Sequence, residues 1–101
     1  MNRVSIFGFT GSIGTQALSV IEKYPSKFEL DVLVCNQNIR LAVELIKKHN
    51  PKNVFVTNDK ARSEIMALCT REINFFDSMH SLRYYLKENK SDIYLSAISS
   101  F

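Results

Sequence analysis

The sequence predicts an α/β fold, a doubly wound parallel sheet with helices on its faces. Two observations carry that prediction. Short apolar, β-rich runs alternate with segments whose apolar residues recur at helical spacing, and such alternation implies crossover connections and parallel strands. In addition, the three glycines of the 101-residue chain fall together at the first strand-to-helix turn, as Gly8, Gly11 and Gly14.

Val4-Ser5-Ile6-Phe7 reads as a buried strand ending at Gly8. A helix follows from about Ser12 to Tyr24, with Ile13, Ala17, Val20, Ile21 and Tyr24 at helical spacing, and Pro25-Ser26 ends it. Glu29–Cys35 is the second strand. Asn36-Gln37-Asn38 is a polar break. The second helix, about Ile39 to His49, gathers Ile39, Ala42, Val43 and Ile46 on one face. Asn50-Pro51 stops it, because a residue preceding proline is pushed out of the helical region.

Asn53–Thr57 is the third strand, and Asp59–Leu68 a third helix turning Ala61, Ile65 and Leu68 inward. Glu72–Phe76 is weakly extended. Asp77 or Ser78 caps a fourth helix with Met79, Leu82 and Leu86 as its stripe. Asp92–Ile98 reads as the last strand. No repeat, linker or low-complexity stretch divides the chain.

Composition narrows the function. Hydrophobic residues make up 46% and charged residues 23%, which argues for a folded globular domain. The net charge of +3 is scattered, with Lys47-Lys48 the longest basic run, so no stripe suited to nucleic acid is visible. No stretch approaches the length of a membrane span or a signal sequence. Cys35 and Cys69 lack CxxC or metal-ligand spacing and read as small buried apolar groups in a reducing, cytoplasmic setting.

The chemistry concentrates in Gly8-Phe9-Thr10-Gly11-Ser12-Ile13-Gly14. Gly8 lets the chain turn sharply out of the strand. Gly11 lets backbone N–H groups approach a pyrophosphate without an intervening Cβ. Gly14 lets the helix pack close to the sheet. The helix N-terminus then faces the phosphates with its positive end, and Thr10 and Ser12 add hydroxyl donors. This is a Rossmann-type dinucleotide site in its expected context. Its alternative is a tight turn with no ligand. The end of the second strand selects the cofactor: a carboxylate there bonds the ribose of NAD and repels the 2′-phosphate of NADP. Cys35-Asn36-Gln37-Asn38 holds no acid and Arg40 follows, which favours NADPH. Arg40 is either a phosphate partner or a solvated first-turn arginine.

Val4–Leu18, with the core Thr10-Gly11-Ser12-Ile13-Gly14 followed by Thr15-Gln16, resembles the opening of 1-deoxy-D-xylulose 5-phosphate reductoisomerases, and the likeness continues through Val32–Asn38, Asn50-Pro51 and Ser96-Ala97-Ile98. The resemblance implies NADPH-dependent rearrangement and reduction of 1-deoxyxylulose 5-phosphate to methylerythritol 4-phosphate, in the non-mevalonate route to isoprenoids, with a divalent metal such as Mg or Mn. Carried over by position, Gly8, Thr10, Gly11, Ser12, Ile13 and Gly14 form the cofactor loop, and Asn38 lies near the adenosine ribose and its 2′-phosphate.

Three departures from that family stand out. Phe9 replaces a small serine, and either crowds the pyrophosphate or points to solvent. Asn36 and Gln37 replace a glycine and a lysine. After Ile98 come only Ser99, Ser100 and Phe101. Residues 1–101 are therefore expected to form an incomplete, N-terminal dinucleotide-binding domain without catalytic or metal-binding groups, inactive alone. Its acids are scattered, and His49 and His80 read as capping or surface residues. The alternatives are a half-enzyme completed by a second chain, and a non-catalytic nucleotide-binding module. An exposed sheet edge or apolar surface would favour self-association.

Overall fold

The computed structural model describes residues 1–69 and 72–96. Nine elements follow in the expected order: β1 (Asn2–Phe7), α1 (Ser12–Lys23), β2 (Phe28–Cys35), α2 (Ile39–His49), β3 (Asn53–Val56), α3 (Asp59–Leu68), β4 (Asn74–Phe75), α4 (Met79–Glu88) and β5 (Ile93–Ser96). The strands form one sheet in the order β4-β3-β2-β1-β5, and every pairing is parallel. The weak extended segment thus becomes a real, two-residue edge strand. Of the predicted last strand, Ala97 and Ile98 lie outside the described residues.

The strand order reverses at β1. From β1 the chain moves outward through β2, β3 and β4, then crosses back to place β5 on β1's other side. Right-handed crossovers in opposite directions put helices on opposite faces, and the packing agrees. Leu18 and Ile21 of α1, Ala42 and Ile46 of α2, and Ala61 and Ile65 of α3 share one core with Val4, Ile6, Leu33, Cys35, Val54 and Val56. Leu82, Tyr85 and Leu86 of α4 pack instead with Val32, Val34, Phe55 and Phe76 on the other face. The sheet is therefore doubly wound.

Several side chains face differently from the sequence expectation. On α1 the buried residues are Gly14, Leu18 and Ile21. Ile13, Val20 and Tyr24 are 66%, 51% and 48% exposed. Close approach at Gly14 fixes the helix's rotation, and the positions four and seven residues later follow it inward. On α3, Leu68 is exposed and the following Cys69 takes the inner position. On α4, Met79 is exposed and Tyr85 replaces it in the stripe. Both cysteines are free and buried, as expected. Burial pushes both thiols up, Cys35 to about 12.

One cluster was not anticipated. Asp31, one of the acids read as scattered, is fully buried on α4's face of the sheet. A register shift between Val4↔Leu30 and Ile6↔Leu33 inserts an extra residue into β2 there. Asp31 accepts hydrogen bonds from Arg3 Nη2 at 2.8 Å, Asn53 Nδ2 at 3.1 Å, Tyr85 Oη at 2.7 Å and Ser91 Oγ at 3.1 Å. Because Ser91 donates to Asp31, the 2.7 Å contact between the Ser5 and Ser91 hydroxyls has Ser5 as donor. Burial and the neighbouring carboxylate together raise the Tyr85 phenol, while for Arg3 the attraction of Asp31 outweighs burial and raises it. The network satisfies a buried charge that would otherwise cost several kcal/mol. It pins α4 and the turn into β5 to three central strands.

Candidate functional site: the strand-to-helix turn after β1

The turn begins at Gly8, whose φ of 92° lies in the region that favours glycine. From there both Gly8 N–H and Phe9 N–H donate to Val34 O, at 2.7 and 3.2 Å, hooking the turn over the end of β2. Gly11 N–H returns to Gly8 O at 3.1 Å. Gly14 closes the arrangement: a Cβ there would lie 2.5 Å from Gly8 O and 2.7 Å from Phe9 Cα, closer than non-bonded atoms allow. The glycine roles read for Gly8 and Gly14 hold. Gly11 adopts φ −78°, ψ 172°, which any residue can take, so its backbone does not demand glycine.

Phe9 corrects both sequence expectations. It neither crowds the outer rim nor meets solvent. Its side chain is fully buried in the core beneath α1, α2 and α3. A residue within the turn is thereby an anchor, and the turn's outer rim stays clear of its ring.

That rim comprises Gly11, Ser12 and Ile13, all exposed, with Thr10 half-buried. Gly11 occupies the N-cap of α1 and supplies no side-chain acceptor, and the first turn carries no acid. The other three helices among the described residues are capped, by Asn38, Asn58 and Ser78. The first N–H groups of a helix have no partner within it. At α1 the first N–H groups therefore have no partner within the helix, and those of the exposed Ser12 and Ile13 stand at its positive end, an arrangement suited to an anion. Thr15 Oγ1 donates to Ser12 O at 2.9 Å, leaving the Thr10 and Ser12 hydroxyls at the rim.

Asn38 sits beyond the adjacent strand end, on the same C-terminal side of the sheet. Its Oδ1 caps α2, accepting from Leu41 N–H at 3.4 Å. Asn36 Oδ1 accepts from Thr57 Oγ1 at 2.7 Å, and its backbone carbonyl accepts from Asn58 N–H at 3.3 Å, so the turns after β2 and β3 are tied together. No carboxylate stands at the end of β2, and Arg40 is exposed on the first turn of α2. Open α/β sheets bind ligands outside the carboxyl ends of their strands, where the strand order reverses. The β1 turn is at that place.

Among the described residues no group of three or more His, Cys, Asp or Glu side chains could hold a metal ion. His80 is exposed, and His49 ends α2 with its imidazole lowered by partial burial. No helix among the described residues is long and apolar enough to cross a membrane.

Comparison with known proteins converges on one group. A family model described as 1-deoxy-D-xylulose 5-phosphate reductoisomerase matches residues 4–101. The reductoisomerase of Shouchella clausii (strain KSM-K16) is 35% identical over 99 residues, covering 98% of this chain and 26% of its own length. That of Exiguobacterium sp. (strain ATCC BAA-1283 / AT1b) is 33% identical over 98 residues, 97% of this chain and 26% of its own. The chain thus spans about a quarter of the length of these curated relatives. Among solved structures, a DOX-P reductoisomerase in complex with NADPH, fosmidomycin and magnesium superposes with a TM-score of 0.78 at 18% identity, over 97% of this chain and 24% of that one. The Zymomonas mobilis enzyme in complex with NADPH gives 0.68 at 21% identity, over 73% and 20%. At these identities the structural likeness establishes a shared fold.

Proposed function

The chain belongs to the 1-deoxy-D-xylulose 5-phosphate reductoisomerase family, and from that premise we propose that it forms the NADPH-binding, N-terminal part of such an enzyme. One observation carries the reading: the uncapped, acid-free and exposed start of α1, held behind a turn that Gly8 and Gly14 make possible. The donor set fits a pyrophosphate. Ser12, Ile13 and Gly14 offer backbone N–H groups, Thr10 and Ser12 offer hydroxyls, and Gly11 adds no Cβ between them and the ligand. By the family resemblance, Asn38 would lie near the adenosine ribose and its 2′-phosphate. NADPH, when bound, supplies a hydride; these residues bind and orient its phosphates.

The described residues do not fit the family's divalent metal, since they bring together no cluster of ligating side chains. We therefore assign to residues 1–101 the cofactor half of the work. The conversion of 1-deoxyxylulose 5-phosphate to methylerythritol 4-phosphate, with its place in isoprenoid biosynthesis, is proposed for the whole enzyme, of which this stretch corresponds to about a quarter. Buried free thiols suit a reducing compartment, and a cytoplasmic location is proposed on that ground.

A second reading concerns partners. Val4, Ala17, Val20, Ile21, Phe28, Ile93 and Leu95 line an apolar hollow between α1 and β5. Such a surface at a sheet edge favours association, with a second copy or with a complementing catalytic chain.

The test is calorimetric titration of the purified chain with NADPH and, separately, NADH. Saturable binding of NADPH in preference to NADH is expected. No binding of either cofactor would overturn the reading.

A further inference from the structure

The family resemblance implies a lysine after β2 that would favour the 2′-phosphate of NADPH, and this chain has the neutral Gln37 there. The structure puts a different cation, Lys60, on the hollow that Gln37 lines. The turns after β2 and β3 are joined through Asn36 and Thr57, so the starts of α2 and α3 stand side by side. Between them lies a hollow lined by Gln37, Ile39, Asn58, Lys60, Ala61 and Glu64. Lys60, on the first turn of α3, is exposed and has no ion-pair partner among the described residues. Two other cations are placed less well. Arg62 is committed to Asp59 at 2.7 Å and to Val56 O at 2.9 Å. Arg40 is exposed on α2 but does not line this hollow.

We propose that Lys60 is the residue that selects the 2′-phosphate, replacing from the third helix the charge that the turn after β2 lacks. The proposal rests on the cofactor reading above. Three features support it. The hollow lies at the carboxyl ends of β2 and β3, beside the strand end that reads the adenosine ribose in folds of this kind. Both flanking helices are capped by neutral asparagines, Asn38 and Asn58, so their positive ends are not cancelled by a capping carboxylate. Asp59, the acid in the first turn of α3, is held by Arg62. One group opposes the phosphate: Glu64, one helical turn beyond Lys60, lines the same hollow. It gives the proposal a second, oppositely signed test.

NADPH and NADH are titrated calorimetrically into the full chain and into its Lys60→Ala and Glu64→Gln variants, with far-UV circular dichroism on each. Both side chains are exposed, so the fold is expected to survive. Lys60→Ala is expected to weaken NADPH about tenfold, the size of one charge-assisted hydrogen bond, and to leave NADH unchanged. Glu64→Gln is expected to tighten NADPH and again leave NADH unchanged. If the parent chain prefers NADPH and Lys60→Ala keeps that preference, the assignment of Lys60 is overturned while the cofactor site stands. If the parent chain binds neither cofactor, the cofactor reading falls and this proposal with it.

Discussion

The Tyr85 hydroxyl donates to Asp31 Oδ1 at 2.7 Å, joining the inner face of the fourth helix to a fully buried carboxylate on the second strand. The same hydroxyl accepts from Asn53 Nδ2 at 3.1 Å, while its ring packs 5.3 Å from that of Phe76. Tyr85→Phe keeps the ring and removes the hydroxyl. Asp31 retains three donors, so a loss of about 1–2 kcal/mol in denaturant unfolding is expected, with cofactor binding unchanged. Asp31→Ala strands Arg3 and Asn53 together and is expected to cost more, about 3 kcal/mol or above. Equal, negligible effects would mean that the network contributes nothing to holding α4.

Gly14→Ala places a methyl group against Gly8 O and Phe9 Cα, both backbone. Backbone cannot swing aside, so α1 must move away from the turn. A destabilisation of about 1–3 kcal/mol is expected, together with loss of NADPH binding. The check pairs a thermal melt with a titration; unchanged values in both would contradict the geometry.

Phe9→Ser installs the small residue that the family resemblance leads one to expect at this position. If Phe9 crowded the phosphates, this change would improve binding. The buried position reverses that expectation. Removing the ring leaves a cavity under the loop, and a loss of about 3 kcal/mol or more is expected in urea unfolding.

Cys35 gives a pH dependence whose sign is fixed. Its folded-state value, pushed up to about 12, lies above the ordinary thiol value because burial disfavours the thiolate. The stabilisation from keeping the thiol neutral is complete below pH 9 and declines as pH rises toward 12. Stability is therefore expected to fall through that alkaline window, and Cys35→Ala to flatten the fall. At neutral pH, a thiol reagent is expected to modify Cys35 only after denaturant is added.

The apolar hollow beside β5 is expected to drive self-association. Val20, half exposed on its wall, accepts a charge without disturbing the core. Sedimentation velocity is expected to detect dimers or larger species in the parent chain and fewer in Val20→Lys. A monodisperse monomer at high concentration would count against association.

The sequence revealed most of the fold because its signals are local. Helical spacing, Pro25, Asn50-Pro51 and the glycines each act within a few residues of where they stand. The turn built on Gly8 and Gly14 was legible for the same reason. What escaped was set by contacts distant in sequence. The inward turn of Phe9 depends on residues from α1 to α3, the rotation of α1 on Gly14's fit against the preceding turn, and the burial of Asp31 on donors at positions 3, 53, 85 and 91. An aspartate flanked by Leu30 and Val32 was the available hint. Lys60 is one more such case, since α3 reaches β2's end only through the folded sheet.

The Asp31 cluster also bears on how the chain is made. Its carboxylate emerges from the ribosome with Arg3 already available, but two of its four donors, Tyr85 and Ser91, are synthesised more than fifty residues later. Until then β1 lacks its neighbour β5, and the extra residue in β2 has no helix above it. A nascent chain that stopped short of α4 would have to keep this carboxylate hydrated, and the sheet around it open. Until then the first two βα units lack the contacts that α4 and β5 supply, and pausing during translation in this interval is expected to prolong exposure of the apolar face that α4 covers.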